Sequence, residues 1–143
     1  MEDPAVPPSD QLRFRARLWT RWVDEDAQQV LNNAVYMTLL EEGRHRYFGE
    51  LGLLLGNDFP FLLARTSIAY LRPGRGGREV ELELATVRLG TSSFEQVYRL
   101  REVASQEVWC EARALLVTYD PETGEKRPME PSFRARVAEF EGL

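Results

Sequence analysis

The sequence predicts an α+β domain in which one long helix is covered by an antiparallel sheet of five strands. Three observations lead there. A nearly all-apolar helical stretch opens after Asn32-Asn33 with Ala34-Val35-Tyr36-Met37. Five other segments alternate apolar and polar residues with the period of two expected of strands that rest one face on a core. Clusters of Gly, Pro, Asp and Ser separate most of these segments, so strands joined by short turns follow the helix and must bury it.

In chain order, the first ten residues contain Pro4, Pro7 and Pro8. They are read as a flexible N-terminal segment, 1–10, ahead of a single domain spanning 11–143. Leu12, Phe14, Ala16 and Leu18 then alternate with Arg13, Arg15, Arg17 and Trp19, a first strand with a basic outer face. After the acidic stretch 24–29, Asn32 or Asn33 caps a helix, because a short amide side chain accepts from the orphan N–H groups of the first turn. The helix runs to about Phe48, with Gly49 as its stop. Val35, Met37, Leu39, Leu40, Gly43, Tyr47 and Phe48 cover more than a narrow stripe, which predicts other structure wrapped around the first two turns. Gly43 costs about 1 kcal/mol of helix propensity, so something packs closely there.

The rest of the chain reads mainly as strand. Segment 61–72 places Leu62, Ala64, Ile68 and Tyr70 on one face, and Pro73-Gly74-Arg75-Gly76-Gly77 reads as a flexible hairpin. Segment 78–89 sets Val80, Leu82 and Leu84 against Glu79, Glu81 and Glu83. Segments 94–102 and 106–119 follow, separated from their neighbours by Gly90-Thr91-Ser92-Ser93 and Asp120-Pro121-Glu122-Thr123-Gly124. Beyond Pro128 and Pro131, Phe133, Val137 and Phe140 have the spacing of a short surface helix. Five strands leave unpaired edges, which predicts that edges pair between subunits.

Composition narrows the function. The 143 residues suit one domain with a real core, and 43% hydrophobic with 29% charged residues describes a soluble globular chain. A net charge of −5 lacks the basic footprint of nucleic-acid binding. Arg72, Arg75 and Arg78 form one local cluster, suited either to the phosphates of a small molecule or to a solvated turn. Cys110 alone makes no intramolecular disulfide and reads as a buried, inert thiol. The acidic start argues against a secretory signal, and no apolar run approaches the roughly 18 residues of a membrane span. A cytoplasmic location follows by elimination.

The one route to chemistry is Asp24 and Asp26, set shortly before the bare amides of a helix start. Free N–H groups there, with the aligned peptide dipoles, favour an oxyanion. Asp26 activates water or attacks a carbonyl if it is ionised and within about 3 Å of it. The plainer alternative is a loop tied down through backbone amides. His45 is the sole histidine, too few for the usual metal clusters, and neither Ser92 nor Ser93 lies in a nucleophile elbow. Trp19, Trp22 and Trp109 suit packing or the lining of an apolar pocket, while Phe59 and Phe61, flanking Pro60, are candidate tunnel walls.

The strings Arg21-Trp22-Val23-Asp24-Glu25-Asp26-Ala27, Asn32-Asn33-Ala34-Val35-Tyr36, Glu41-Glu42-Gly43-Arg44 and Gly90-Thr91-Ser92-Ser93-Phe94, with the ending Pro128 through Phe133, carry a resemblance. Over roughly residues 10 to 140 the chain resembles the hotdog-fold acyl-CoA thioesterases of the 4-hydroxybenzoyl-CoA thioesterase type. That resemblance implies a curved five-stranded sheet around the central helix and hydrolysis of a thioester to free acid and CoA. It implies Asp26 as general base or nucleophile, the Asn33 N–H on the carbonyl oxygen and Asp24 as a structural loop residue. Tyr36 matches an aromatic residue of the family's site; Trp22, Phe59 and Phe61 join it as candidate pocket walls, and Arg72, Arg75 and Arg78 as candidate contacts for CoA phosphates. No metal or redox cofactor is implied, CoA being part of the substrate. A homodimer or homotetramer is expected, with neither nucleic acid nor membrane as partner.

The chain departs from the family motif where a glycine, and often a histidine, stands between the acidic pair and the double asparagine. Gln29 and Val30 occupy those places. Two alternatives follow: a non-catalytic acyl-CoA or acyl-carrier-protein binding module, and a hydratase-like hotdog enzyme, a class that commonly uses an Asp/His pair.

Overall fold

The computed structural model describes residues 3–54 and 61–143. Strand β1 (Phe14–Trp19) leads through a single 3₁₀ turn (Trp22–Asp24) to helix α1 (Asn33–Glu50). Strands β2 (Phe61–Tyr70), β3 (Glu79–Leu89), β4 (Ser93–Glu102) and β5 (Val108–Thr118) follow, and helix α2 (Pro131–Glu141) closes the chain. The five strands form one antiparallel sheet in the order β1-β3-β4-β5-β2. This is the α+β arrangement expected of the sequence, with α1 on the inner face of a curved sheet: the hotdog fold.

Period-two patterning decides the inner face. Phe14, Ala16 and Leu18 of β1, Val80, Leu82 and Leu84 of β3, and Phe94, Tyr98 and Leu100 of β4 are buried, as are Cys110, Ala112, Ala114 and Leu116 of β5. Against them α1 lays Tyr36, Leu39, Leu40, Gly43, Tyr47 and Phe48. Gly43 is where the helix comes closest: a Cβ there would lie 2.0 Å from Leu82 Cδ2. Helix and sheet thus meet backbone to side chain, which explains a glycine in mid-helix despite its propensity cost. Burial pushes the Cys110 thiol up to about 12, so the lone cysteine is a protonated core residue.

Five sequence expectations are corrected. The glycine-rich segment 73–77 is a crossover, since β2 and β3 are separated in the sheet by β4 and β5. It is also tightly fitted: a Cβ on Gly76 would meet the Arg21 carbonyl oxygen at 2.4 Å, and one on Gly74 would meet both Trp109 and Tyr36 at 2.7 Å. Turn composition looks the same in hairpins and crossovers, because the pairing partner is a tertiary choice. Helix α1 passes Gly49 and ends at Glu50, with Gly52 (φ 72°) supplying the left-handed residue just beyond. Its first two turns are not wrapped, since Asn33, Ala34 and Thr38 are exposed. A bulge in β2 between Leu63 and Arg65 breaks the single face expected for Leu62, Ala64 and Ile68. Finally, Glu83 is 1% exposed, not on a solvated face, and accepts from Arg15 at 3.0 Å with Arg99 and Arg101 close by. The N-terminal segment lies over this cluster, for Arg99 donates to Pro7 O at 3.0 Å and Arg15 to Ser9 O at 2.8 Å.

Candidate active site

The segment between β1 and α1 is built by three backbone bonds. Asn32 N–H donates to Asp24 O, Asp26 N–H to Val30 O and Gln29 N–H to Asp26 O, each at 2.9 Å, around an antiparallel bridge between Glu25 and Leu31. Gln29 closes the turn with φ 62°. That is the left-handed region that glycine enters without strain, so Gln29 holds the backbone conformation that a glycine in its place would favour. The crossover fastens the same loop from the other side: Leu31 N–H donates to Gly74 O, and Gly76 N–H to Glu25 Oε2.

The two aspartates have different surroundings. Asp24 is buried, and its carboxylate accepts from the Arg21 N–H at 2.9 Å and the Arg21 guanidinium at 2.7 Å. Those Arg21 hydrogen bonds hold it below the usual carboxylate range. Asp26 is half-buried; its Oδ1 accepts from Gln28 N–H at 2.8 Å, and Oδ2 has no hydrogen bond among the described residues.

At the helix start, the Asn32 side chain caps the Ala34 N–H at 2.9 Å, and Asn32 O accepts from Val35. The Asn33 N–H has no acceptor among the described residues, leaving a donor at the positive end of an 18-residue helix. Asn33 borders a cavity of about 220 Å³ whose walls also include Val30, Tyr36, Tyr70 and Arg72. Tyr36 is held in place: its hydroxyl accepts from Gly74 N–H at 3.1 Å, and its ring meets that of Tyr70 edge-on at 5.0 Å. Burial pushes this hydroxyl up to about 12, so it stays a neutral hydrogen-bonding group.

The structure therefore gathers Asn33, Tyr36 and Arg72 at one opening, with Asp26 bonded through its backbone to Val30 in the wall. Other candidates lie elsewhere. Trp22 is 80% exposed. Arg75 and Arg78 are exposed and lie near Glu25 (3.5 Å) and Glu102 (3.7 Å) respectively. Phe59 falls outside the described residues. Phe61 borders a second and larger cavity, about 510 Å³, between α1 and β2, together with Leu62, Leu63, Leu116, Glu41 and Arg44.

Arg44 stood in the sequence only within the string Glu41-Glu42-Gly43-Arg44, with no role assigned to it. It is 5% exposed and donates to Tyr98 Oη at 3.1 Å, the first link in a one-way chain of core hydrogen bonds. Tyr98 donates to Gln96, Gln96 to Thr86, Thr86 to Tyr47, and Tyr47 to Glu141 on α2, over 2.7–3.2 Å. The signal was a polar Gln96 between Phe94 and Tyr98 on the apolar face of β4. Among the described residues no group of three His, Cys, Asp or Glu side chains is placed to hold a metal ion, and no helix is long and apolar enough to cross a membrane.

Comparison with known proteins places this geometry in context. The family model of the thioesterase-like superfamily matches residues 18–137. A thioesterase from Thermus thermophilus, solved with coenzyme A and Zn, is 31% identical with a TM-score of 0.79, over 90% of this chain and 95% of that one. The PA2801 protein of Pseudomonas aeruginosa is also 31% identical, TM-score 0.77, covering 87% and 97%. At 18% identity, TM-score 0.79 and coverage of 87% and 95%, a 1,4-dihydroxy-2-naphthoyl-CoA thioesterase from Synechocystis shares the fold.

Proposed function

From the premise that the chain belongs to the thioesterase-like superfamily and is a thioester hydrolase, we propose that it cleaves an acyl-CoA thioester at the start of α1. The observation that carries this is the unspent Asn33 N–H at the helix's positive end, opening on a cavity beside the Asp26 loop. A thioester carbonyl seated there puts its oxygen on Asn33, where a preorganised donor stabilises the charge that develops in the transition state. Asp26, with Oδ2 uncommitted among the described residues, activates water or attacks the carbonyl carbon. Arg72 at the rim meets the CoA phosphates; Arg75 and Arg78 serve more distantly, since each already has a carboxylate near it. Tyr36 shapes the wall.

The left-handed Gln29 supports catalysis over a binding-only module, because the residue standing in glycine's place adopts a conformation open to glycine while Asp26 N–H donates to Val30 O. The hydratase alternative is weakened by position: His45 borders the larger cavity, beside Glu41 and away from Asp26. The working unit is a dimer joined along β2, the edge on which Leu62 and Leu63 are exposed.

The test compares two conservative substitutions. Asp26→Asn keeps the shape and removes the charge, so kcat on acyl-CoA thioesters should fall by roughly 10²-fold or more with Tm held within a few degrees. Asp24→Asn should do the opposite, lowering stability by about 1 kcal/mol as the Arg21 clamp loosens while turnover stays near parental. Parental turnover in Asp26→Asn removes that residue from the mechanism.

A further inference from the structure

Arg44 is a cation in the core with no carboxylate oxygen within 4 Å among the described residues. Its contacts there are the Tyr98 hydroxyl at 3.1 Å and the Tyr98 ring, 5.8 Å from guanidinium carbon to centroid. One of five N–H donors is thereby accounted for. The Tyr98 hydroxyl hands its own proton to Gln96 and so can only accept from Arg44, which fixes the guanidinium in orientation. A buried charge without a counter-charge is costly unless something supplies one.

The same side chain borders the 510 Å³ cavity. Phe61, Leu62, Leu63 and Leu116 give it apolar walls, and its volume lies within the range of small-molecule sites. Glu41 and Glu42 stand at its helix side, both exposed, with Glu42 engaged by Arg46 at 2.9 Å. A second polar group lies nearby on the sheet. Thr66 Oγ1 is buried without a hydrogen-bond partner among the described residues, and Thr66 pairs with Ala114, the next inward residue of β5 after Leu116. A cavity with apolar walls on its sheet side, Thr38, Glu41, Glu42 and His45 on its helix side, and the oriented Arg44 guanidinium in its lining suits a chain that is apolar along its length and anionic at its end.

We propose that this cavity receives the far end of the acyl group and that Arg44 selects acyl chains ending in a carboxylate, making the substrate class the half-thioesters of dicarboxylic acids. This rests on the thioesterase proposal for the reacting end. From Asn33 to Arg44 the helix rises about 16 Å at 1.5 Å per residue, so the distal carboxylate is recognised well away from the bond that breaks. Arg44 is here a specificity residue and takes no part in the hydrolysis itself.

The experiment compares two non-hydrolysable CoA thioethers of equal chain length, one ending in carboxylate and one in methyl, bound to the 143-residue protein, to Arg44→Met and to Arg44→Lys. The parent should bind the carboxylate form at least about tenfold more tightly, the size expected of a buried charge-assisted pair. Arg44→Met should erase that preference while keeping affinity for the methyl form, and Arg44→Lys should retain part of it. Should Arg44→Met fail to fold, the Arg44→Lys ratio decides. Equal binding of both thioethers by the parent, or an equal loss of both in the variants, overturns the assignment. Failure of the parent to hydrolyse the matching thioesters, with the binding preference intact, refutes the catalytic proposal and leaves this one standing.

Discussion

At Gln29 the backbone has a requirement that its side chain does not meet well. A φ of 62° costs a residue with a Cβ about 1–2 kcal/mol, and glycine avoids the clash while losing more entropy on folding. Gln29 is exposed, so replacing it gives up no packing. Gln29→Gly should therefore gain roughly 0.5–1 kcal/mol, a rise of about 1–4 °C in Tm, with kcat within about twofold of parental. A fall in Tm would mean that the turn is held by something other than its backbone conformation. The acidic pair, the Asn32 cap and the glycine-to-glutamine departure could all be read from residue order, because loop and helix-cap chemistry is local. The different surroundings of Asp24 and Asp26 were not legible as geometry: Asp24 is clamped by Arg21 three residues away, and Asp26 is left half-committed by a tight turn. Spacing alone describes both as carboxylates before a helix.

Between elements, α1 and α2 are linked through the sheet by the hydrogen-bond chain that ends on Glu141. There the carboxylate accepts from Tyr47 and from the Thr86 N–H, beside the bulge between Thr86 and Arg88 that disturbs the β3–β4 register. Burial, first, raises the Glu141 pKa above 4.5, against the favourable contacts of Thr86, Tyr47 and Arg13. An acid with a raised folded pKa binds its proton more tightly folded than unfolded, so its contribution to stability declines as pH climbs from about 4.5 through the folded value. Asp24, Glu81 and Glu95 are lowered and act oppositely, losing stability only as pH falls below the ordinary carboxylate range. Glu141→Gln cannot ionise. Its Tm relative to parent should therefore rise between about pH 4.5 and pH 8, and thermal melts showing a difference constant across that range would remove Glu141 from the pH dependence. Strands and helices were legible because period two and helical spacing are local signals, whereas the crossover at 73–77, the bulge in β2 and the polar chain depend on which strands become neighbours. Gln96 on the apolar face of β4 was the visible trace of that chain.

For the whole molecule, the proposed dimer rests on how the two free edges of the sheet differ. The β1 edge is six residues long and carries Arg15 and Arg17, ion-paired to Glu79, Glu81 and Glu83, a charged guard against further pairing. The β2 edge is ten residues long with Arg65 as its one cationic residue, and Leu62, Leu63 and Tyr70, with Leu71 just beyond, are 39–57% exposed. In the dimer proposed above this less charged edge pairs with its own copy across a two-fold axis, which would join the two sheets and cover the open side of the cavity walled by Leu62 and Leu63. Light scattering should then give twice the 16.5 kDa chain mass, or four times it if dimers pair again. Leu63→Glu places like charges near each other across the axis and should weaken the dimer by at least about tenfold. If the site needs the second copy, kcat/KM should fall in step with the dimer fraction as protein is diluted. A monomeric parent, or a Leu63→Glu variant with unchanged mass at all concentrations, would show that β2 is not the joint and that each chain closes its cavities alone.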